Sequence, residues 1–347
     1  MEVWIINRPK EDHAEADRLR FETMLTSLAH AGVTGRYFSI QMKKELTNTL
    51  QAEKPDLIYC ANYYLYDENN ELTSVHALLN QLNFPYIGSA PEKLELVLSK
   101  IALKEKWQRD NILTPRFFKI FERGSKVFGL EEAIQAKDFP YILKPDREGN
   151  SRGLSPDSVV FDQGALTRQS AKLLKKYKTI LAEKYLGNAE KFHEYTVAMI
   201  GNGNNKFLMP AEIRLKQRKS VRIVTSQDKD DHLTRAIPVE DPLLFKKLTD
   251  FSRKAFESAG MRDYARCDLI MIDEWLYAIE INGLPMVPDE WFENCAKTCS
   301  LNEDQYLNAI LLAGLVRCKK YLNKEISIPE KMKILLPEPV MARLLAG

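Results

Sequence analysis

Two carboxylates and an amide in residues 265–285, ARCDLIMIDEWLYAIEINGLP, are well suited to metal chemistry. Glu280 and Asn282 lie two positions apart in an apolar stretch, so on a β-strand their side chains point to the same face. Burying a carboxylate beside an amide is costly unless a partner compensates it. Such oxygen ligands suit Mg²⁺, which usually keeps waters and bridges substrate phosphates. An ion-pair cluster of Arg266, Asp268 and Glu280 explains the same residues without a ligand, so the hairpin alone leaves both interpretations open.

The segment is typical of a β-hairpin, and the length of its turn decides which side chains share a face. A two-residue turn at 273–274 places Asp268 opposite Ile279, on the face away from Glu280. A three-residue turn at 273–275 places Asp268 directly opposite Glu280 and gathers the polar residues of the hairpin on one face. Three-residue turns usually contain glycine, which is absent here, so both registers remain open.

A second polar segment, KPDREGNSRG at residues 144–153, has features of a phosphate-binding loop. Lys144 ends an apolar strand and offers a positive charge to phosphate oxygens, while Gly149 and Gly153 let backbone N–H groups approach closely. The spacing matches neither G-x-x-x-x-G-K-[ST] nor G-x-G-x-x-G, which disfavours the folds that use those motifs. Such a loop is often only a connection. Together with the hairpin, it favours a site where a divalent cation meets phosphate.

The elements that position these residues can be predicted from apolar periodicity. Alternating strands and helices over the first hundred residues predict a parallel sheet, and a Ser-x-x-Glu capping box at Ser89 predicts one helix running to Arg109. Hairpin signals later in the chain predict antiparallel strands. The fold class is therefore α/β, with an α+β part. The later predicted elements are strands at 141–145, 179–186, 195–202 and 207–215, a loop over 214–236, and helices over 241–260 and 302–323.

Composition excludes several classes of protein. The 50 lysine and arginine residues against 48 aspartate and glutamate residues give a net charge of +2, which does not indicate nucleic-acid binding. The five cysteines include no C-x-x-C pair, which disfavours a zinc site or a disulfide framework. The sequence has neither a signal-peptide pattern nor an apolar run of about 18 residues. We therefore expect a cytoplasmic protein that binds neither nucleic acid nor membrane.

Several segments, in chain order, resemble the ATP-grasp superfamily and above all its D-alanine–D-alanine ligase branch. The resemblance spans about residues 56–292 and is weak in the N-terminal fifth. It implies an ATP-grasp fold preceded by a parallel-sheet α/β domain, three domains in all. The segments that carry it are PYIGS (85–89), Lys100, ILKPDREGNSRG (142–153), LAEKYL (181–186), HEYT (193–196) and the segment 265–285. The implied divisions are an N-terminal domain (1–97), a central ATP-grasp subdomain (98–187), a C-terminal subdomain with the metal site (188–323) and a tail (324–347).

The resemblance also implies a role for each matching residue. Lys100 and Lys144 would contact the phosphates of ATP, Arg266 would steady acyl-phosphate oxygens, and Ser151 would donate from a loop that closes over the phosphates. The residues implied to bind ATP are Lys100, Lys144, Glu148, Gly149 and Ser151 around the phosphates, Glu183, Lys184 and Leu186 near adenine, and Glu194 at the ribose. The residues implied to hold two Mg²⁺ ions, which Mn²⁺ could replace, are Asp268, Glu280 and Asn282.

The substrate positions match the family less well. Asn150 stands where the family has a serine, Met286 replaces a glycine, and Trp291 stands where a serine grips the carboxylate of the second alanine. The acceptor pocket is therefore expected to fit something other than a second D-alanine. Glu71 aligns loosely with an acidic position near the acceptor. Lys216, selected as catalytic from the basic run RLKQRKSVR, belongs either to a solvated loop or to a lid over the substrate.

These observations predict an ATP-dependent carboxylate–amine ligase that acts through an acyl phosphate. Its substrates would be a small carboxylic acid and an amine or amino acid, its acceptor pocket would be altered, and its pathway would be specialised-metabolite biosynthesis. One alternative is a true D-alanine–D-alanine ligase of cell-wall synthesis. An alternative of another class is a catalytically silent ATP-binding regulatory protein. Dimers are usual among similar enzymes, so a homodimer is also expected.

Overall fold

The computed structural model describes residues 1–9, 14–149, 151–216, 221–225, 227–228, 233–322 and 327–346. The prediction for Asn150 and part of the basic run after Lys216 lie outside these ranges. One parallel sheet, two larger antiparallel sheets and a short two-stranded sheet make up the strand structure of the described residues. The fold class is thus α/β with an antiparallel α+β part, as predicted. Among the described residues, no helix is both long and apolar enough to cross a membrane.

The N-terminal sheet is parallel, and its first strand is buried on both faces. The elements here are β1 (Glu2–Asn7), α1 (Ala14–His30), β2 (Thr34–Ser39), α2 (Lys43–Ala52), β3 (Leu57–Cys60), β4 (Tyr64–Tyr66), β5 (Leu72–Ser74), α3 (Val75–Gln81) and β6 (Tyr86–Ile87). The strand order is β2-β1-β3-β6. Val3 and Ile5 enter one apolar cluster while Trp4 and Ile6 enter another, which explains the unbroken apolar run. Strand β2 was not predicted because it is a partly exposed edge strand of mixed polarity.

The long helix predicted to begin at Ser89 is two helices, α4 (Pro91–Leu98) and α5 (Lys100–Arg109). Ser99 interrupts it with an extended backbone, and its hydroxyl accepts the N–H of Ala102, so Ser99 is the N-cap of α5. The capping box at Ser89 was wrong, because that side chain is buried and accepts the backbone N–H of Arg262. The break places Lys100 in the first turn of a helix.

The central sheet is antiparallel, with strand order β10-β9-β11-β7-β8. Its elements are β7 (Phe117–Arg123), β8 (Lys126–Phe128), α6 (Leu130–Ala136), β9 (Tyr141–Pro145), β10 (Val159–Val160), α7 (Gln163–Leu174) and β11 (Thr179–Lys184). Lys144 pairs with Leu181, two residues before Glu183. Because paired residues share a face, as do alternate residues of a strand, Lys144 and Glu183 project to the same side of the sheet.

The third sheet is also antiparallel, with strand order β14-β13-β12-β15-β16. Its elements are β12 (Phe192–Ile200), β13 (Phe207–Leu215), β14 (Thr234–Pro238), α8 (Pro242–Ala259), β15 (Tyr264–Ile272) and β16 (Trp275–Asn282). The start of β14 falls in the segment predicted to be a loop, since this edge strand contains Arg235 and Pro238 and shows no clear apolar alternation.

In the described part of the chain after β16, four helices connect the N-terminal and third sheets. They are α9 (Glu290–Lys297), α10 (Glu303–Leu322), α11 (Glu330–Leu335) and α12 (Glu338–Leu345). The largest apolar cluster contains Ile5 of the N-terminal sheet, Phe292 and Leu312 of these helices, and Leu344 near the end of the chain. A buried ion pair between Arg317 and Asp263, with an N–O distance of 2.7 Å, adds a polar connection. The predicted division into domains remains a prediction.

Candidate active site

We call the hairpin formed by β15 and β16 the carboxylate hairpin. Its register combines features of the two predicted alternatives. Its turn contains two residues, 273–274, yet Asp268 lies opposite Glu280 and Arg266 lies opposite Asn282. A β-bulge immediately after Asp268 explains this, because one extra residue on β16 shifts the pairing by one position. The polar residues of the hairpin therefore share one face.

The two carboxylates of this hairpin lie near cations at distances longer than direct charge-assisted hydrogen bonds. Asp268 accepts a 2.6 Å hydrogen bond from the Thr196 hydroxyl, and its Oδ1 lies 3.6 Å from Nε of Arg266. Oε2 of Glu280 lies 3.7 Å from Nζ of Lys100. A charge-assisted N–H···O bond is about 2.7–2.9 Å long. The side chains remain 22% and 39% exposed, so negative charge faces the open side of the hairpin.

The donors on this face fit Mg²⁺, a metal typical of the superfamily that the sequence resembles. Asp268 and Glu280 supply two carboxylates, and Asn282 adds an amide oxygen that also accepts the N–H of Leu284 at 3.2 Å. In the part of the chain that the structure describes, no group of three or more His, Cys, Asp or Glu side chains could hold a metal ion by itself. A divalent ion here would complete its shell with water or phosphate oxygens, as Mg²⁺ commonly does.

Lys144 and Glu183 of the central sheet form a buried ion cluster with Lys104 of α5, which we call the lysine cluster. The two carboxylate oxygens of Glu183 lie 2.7 Å from Nζ of Lys144 and 2.6 Å from Nζ of Lys104. Lys104 is fully buried and also donates to the Thr114 hydroxyl at 2.7 Å. Its Nζ reaches the carbonyl of Ala278 at 3.5 Å, so it connects the central sheet with the carboxylate hairpin.

Lys104 was missed by the sequence analysis, which selected Lys100 on the same helix. The two lysines are one helical turn apart, at positions i and i+4, and this spacing is the signal that could have found the second. Glu183, predicted to lie near adenine, has both carboxylate oxygens directed at lysines.

The charges of the lysine cluster favour an anion. Burial alone would raise the pKa of Glu183, but the ammonium groups of Lys104 and Lys144 outweigh burial and hold that pKa below its ordinary value. Burial lowers the pKa of Lys104. With both lysines protonated, the cluster carries one net positive charge, which attracts a phosphate oxygen.

The predicted phosphate loop lies against the N-terminus of α5. Asp146 accepts the backbone N–H of Ile101 at 2.9 Å, and Nζ of Lys100 donates to the carbonyl of Glu148. Ser151 has a backbone φ of +57°, in the left-handed region that loops use for sharp turns. These contacts fix the loop beside the first turn of α5, where the Lys100 side chain supplies positive charge that attracts phosphate oxygens.

A cleft with an open volume of about 980 Å³ lies between the lysine cluster and the carboxylate hairpin. Its lining combines most of the predicted nucleotide-binding residues with two of the predicted metal ligands. The predicted residues that line it are Lys100, Lys144, Glu148, Ser151, Glu183, Lys184, Leu186, Glu194, Asp268, Glu280 and Trp291. Lining residues that the sequence analysis did not select include Ile142, Arg152, Tyr185, Phe192, Arg222 and Ile270.

Other predicted residues do not line this cleft. Lys216 is exposed, and its backbone N–H donates to the carbonyl of Leu233, whereas Arg222 from the same basic run does line the cleft. Arg222 lies in a basic run without periodicity, so no sequence pattern distinguished it from the other basic residues of that run. Glu71 is exposed and its N–H donates to Asp67. The predicted residues outside the lining are Glu71, Gly149, Lys216, Arg266, Asn282 and Met286.

Arg266 lies directly behind the cleft. Its guanidinium stacks 5.0 Å from the ring centre of Trp291, which does line the cleft, and NH1 lies 3.5 Å from Oδ2 of Asp289. Nε of Arg266 is buried without a hydrogen-bond partner. A buried donor without a partner is costly, so this guanidinium has capacity left for an anionic oxygen.

The architecture is shared with solved structures of D-alanine–D-alanine ligase from Bacillus anthracis. The one complexed with ATP matches with a TM-score of 0.72 at 19% identity, over 92% of this chain and 99% of that chain. A second gives a TM-score of 0.73 at 20% identity with the same coverage. Likeness at these identities establishes the fold, which is the ATP-grasp fold with an N-terminal parallel-sheet domain.

Sequence comparison establishes the family. The profile of the family described as D-ala D-ala ligase C-terminus matches residues 107–302, more than half of the chain. D-alanine–D-alanine ligase from Carboxydothermus hydrogenoformans is 27% identical over 283 residues, 80% of this chain and 86% of that protein. The enzyme of that name from Cupriavidus metallidurans is 24% identical over 315 residues, 90% of this chain and 91% of that protein. The chain belongs to this family and is an ATP-grasp ligase, an enzyme that forms carbon–nitrogen bonds.

Proposed function

We propose that this ligase joins two D-alanine molecules into a dipeptide and converts ATP to ADP and phosphate. The carrying observation is the position of Asp268 opposite Glu280 on one side of a cleft whose other side holds the lysine cluster. The names of relatives matched over 80% and 90% of the chain support D-alanine as the substrate. They favour the alternative of a true D-alanine–D-alanine ligase over the specialised-metabolite interpretation.

In this proposal the triphosphate of ATP lies between the lysine cluster and the carboxylate hairpin. The side chains of Lys100 and Lys144 stabilise phosphate oxygens, and the loop that contains Ser151 covers them. Asp268, Glu280 and Asn282 would hold Mg²⁺, which when bound neutralises phosphate charge. The protein contributes mainly positioning and electrostatic stabilisation, as is usual in phosphoryl transfer.

The reaction would proceed in two steps. A carboxylate oxygen of the first D-alanine attacks the γ-phosphorus, the bond to the bridging oxygen of ADP breaks, and an acyl phosphate forms. The amino nitrogen of the second D-alanine then attacks the acyl carbon, phosphate leaves, and the nitrogen loses a proton. Arg266, whose buried Nε makes no hydrogen bond and lies 3.6 Å from Oδ1 of Asp268, is the residue that would stabilise the anionic oxygens of the acyl phosphate.

The direct test is a product assay. Purified protein is incubated with ATP, Mg²⁺ and D-alanine, and ADP and dipeptide are quantified by mass spectrometry, with L-alanine and no amino acid as controls. We expect equal amounts of ADP and D-alanyl-D-alanine, and no dipeptide from L-alanine. ATP binding without ADP release under any condition would instead support the silent regulatory protein.

A second candidate function, a ligase for a different acceptor, is favoured by one observation. Trp291 lines the cleft beside Asp268 and Glu280, with Arg266 stacked on its ring. An indole there fills space and offers an apolar face, whereas a small hydroxyl side chain would leave room and a donor for a carboxylate. Competition among amino acids in the same assay tests this, because preferential use of an acceptor other than D-alanine would replace the first proposal.

Two further expectations accompany the proposal. ATP and free amino acids are available in the cytoplasm, which is therefore the proposed location. The homodimer stays a prediction, and light scattering of the purified protein measures it.

A further inference from the structure

The loop 283–289 follows the candidate metal ligands and is bonded to the N-terminal part of the chain at two points. The N–H of Leu284 donates to the Tyr63 hydroxyl at 3.1 Å. The carbonyl of Pro288 accepts from Nε of Arg20, on α1, at 3.2 Å. The two ends of this loop are therefore positioned by residues more than two hundred positions away in sequence.

Arg20 is itself fixed in a polar chain that begins at the end of β1. Its NH1 donates to Oδ1 of Asp17 at 2.7 Å, and Oδ2 of Asp17 accepts from the side-chain amide of Asn7 at 3.2 Å. Asp17 and Asn7 are buried, and the side chain of Arg20 is only 22% exposed. An arginine bonded on two sides in this way has one orientation, so it defines the position of the Pro288 carbonyl.

Asp289, the residue after Pro288, connects this loop to the residues at the cleft. Its carboxylate accepts the N–H of Phe292 at 2.6 Å as the N-cap of α9, and its Oδ2 lies 3.5 Å from NH1 of Arg266. Trp291, in the first turn of the same helix, also contacts that guanidinium, with its ring centre 5.0 Å away. A shift of the Pro288 carbonyl therefore moves both groups that orient Arg266.

We propose that Arg20 is a positioning residue for the ligase reaction, acting through Pro288 and Asp289 on Arg266. This inference rests on the proposed function, in which Arg266 stabilises the acyl phosphate. Arg20 touches neither substrate nor ATP in this account. Its loss displaces a group that acts in the transition state, and displacements of about 1 Å are enough to lower rates by up to about a hundredfold.

The test compares Arg20→Met with Arg18→Met, since Arg18 lies on the same helix with its side chain 65% exposed. We expect Arg20→Met to lower kcat for dipeptide formation by about tenfold or more, with the KM for ATP unchanged, because the lost interaction belongs to the transition state. Arg18→Met should match wild type. Arg20→Lys, which keeps a donor and the charge, should recover a large part of kcat.

A double-mutant cycle separates positioning from general stabilisation. If Arg20 acts through Asp289, Arg20→Met has little further effect on kcat in an Asp289→Asn background. Full additivity, or equal kcat for Arg20→Met and Arg18→Met, would overturn the proposal. A loss of kcat explained by a lower thermal midpoint, and not rescued by Arg20→Lys, would overturn it as well.

A spectroscopic measurement tests the inference without measuring turnover. Because Trp291 contacts Arg266, we expect Arg20→Met to change the tryptophan fluorescence of the protein, and we expect Trp291→Phe to remove that change. If wild type forms no dipeptide while this change appears, the proposed function fails and the positioning of the loop by Arg20 stands. If Arg20→Met leaves the fluorescence unaltered, the positioning role fails whatever the activity.

Discussion

The two sides of the cleft are stabilised in different ways. In the lysine cluster, Glu183 contacts Lys104 and Lys144 at 2.6 and 2.7 Å, and all three side chains are at least largely buried. In the carboxylate hairpin, Asp268 and Glu280 lie 3.6 and 3.7 Å from their cations and stay partly exposed. The lysine cluster is therefore preorganised by short internal pairs, whereas the hairpin carboxylates lie farther from cations and are partly exposed to the cleft.

The largest expected effect lies on the hairpin. Glu280→Gln preserves size but removes the charge that would bind Mg²⁺, so we expect kcat with Mg·ATP to fall by at least about a hundredfold. The fold should be unaffected, since the side chain is 39% exposed. Steady-state ADP release together with circular dichroism measures both properties.

The control for this substitution is Glu274→Gln, in the turn of the same hairpin, where the side chain is 87% exposed. It should leave turnover at the wild-type value. Comparable turnover for Glu280→Gln and Glu274→Gln would show that the hairpin carboxylates play no part in the reaction.

The next effect concerns the stability of the lysine cluster. Glu183→Gln leaves two buried ammonium groups without their shared carboxylate, which should lower the free energy of unfolding by about 3 kcal/mol at neutral pH. Urea denaturation of wild type and variant measures this difference. A difference near zero would mean that the cluster does not stabilise the fold.

This difference should depend on pH with a definite sign. The two lysines outweigh burial and lower the pKa of Glu183 below its ordinary value of 4.5, so its contribution is complete above that pH. As the pH falls through the lowered native-state pKa, the carboxylate becomes protonated and the contribution disappears. Wild type and Glu183→Gln should therefore converge in stability toward strongly acidic pH, and a gap that widens there would contradict the assignment.

The smallest effect is expected from a change at Trp291, the cleft residue predicted to lie at the acceptor position. Trp291→Ser removes the indole from the cleft, so we expect the relative kcat/KM for different amino-acid acceptors to change while the KM for ATP does not. Product ratios from mixtures of amino acids measure this directly. Trp275→Ser, at an exposed position of the hairpin, is the control. An equal loss for every acceptor would assign Trp291 a structural role only.

The comparison also shows which features the sequence could predict. Strand β9 and the shared face of Glu280 and Asn282 follow from local apolar patterns, and the structure confirms them. The β-bulge after Asp268 was not predictable, because its register depends on packing of the whole sheet rather than on a turn motif. Both of the alternative registers were thus partly correct.

Contacts between residues far apart in the sequence explain the other features that were not predicted. Burial of Lys104 on α5 is costly unless an opposite charge compensates it, and Glu183, which does so, lies on a strand far along the chain. Ser89 and Ser99 both precede a helix-like pattern, and only tertiary contacts of Ser89 decide between them as caps. Arg222 lines the cleft where Lys216 does not, since its backbone is bonded to the Tyr185 hydroxyl.

The most direct test of the central claim is a crystal structure with Mn²⁺ and a non-hydrolysable ATP analogue, using the anomalous signal of manganese to locate the ion. We predict an anomalous peak within coordination distance of both Asp268 and Glu280, beside the terminal phosphates of the analogue. A bound analogue with manganese elsewhere, and the two carboxylates still paired only with protein cations, would contradict the account.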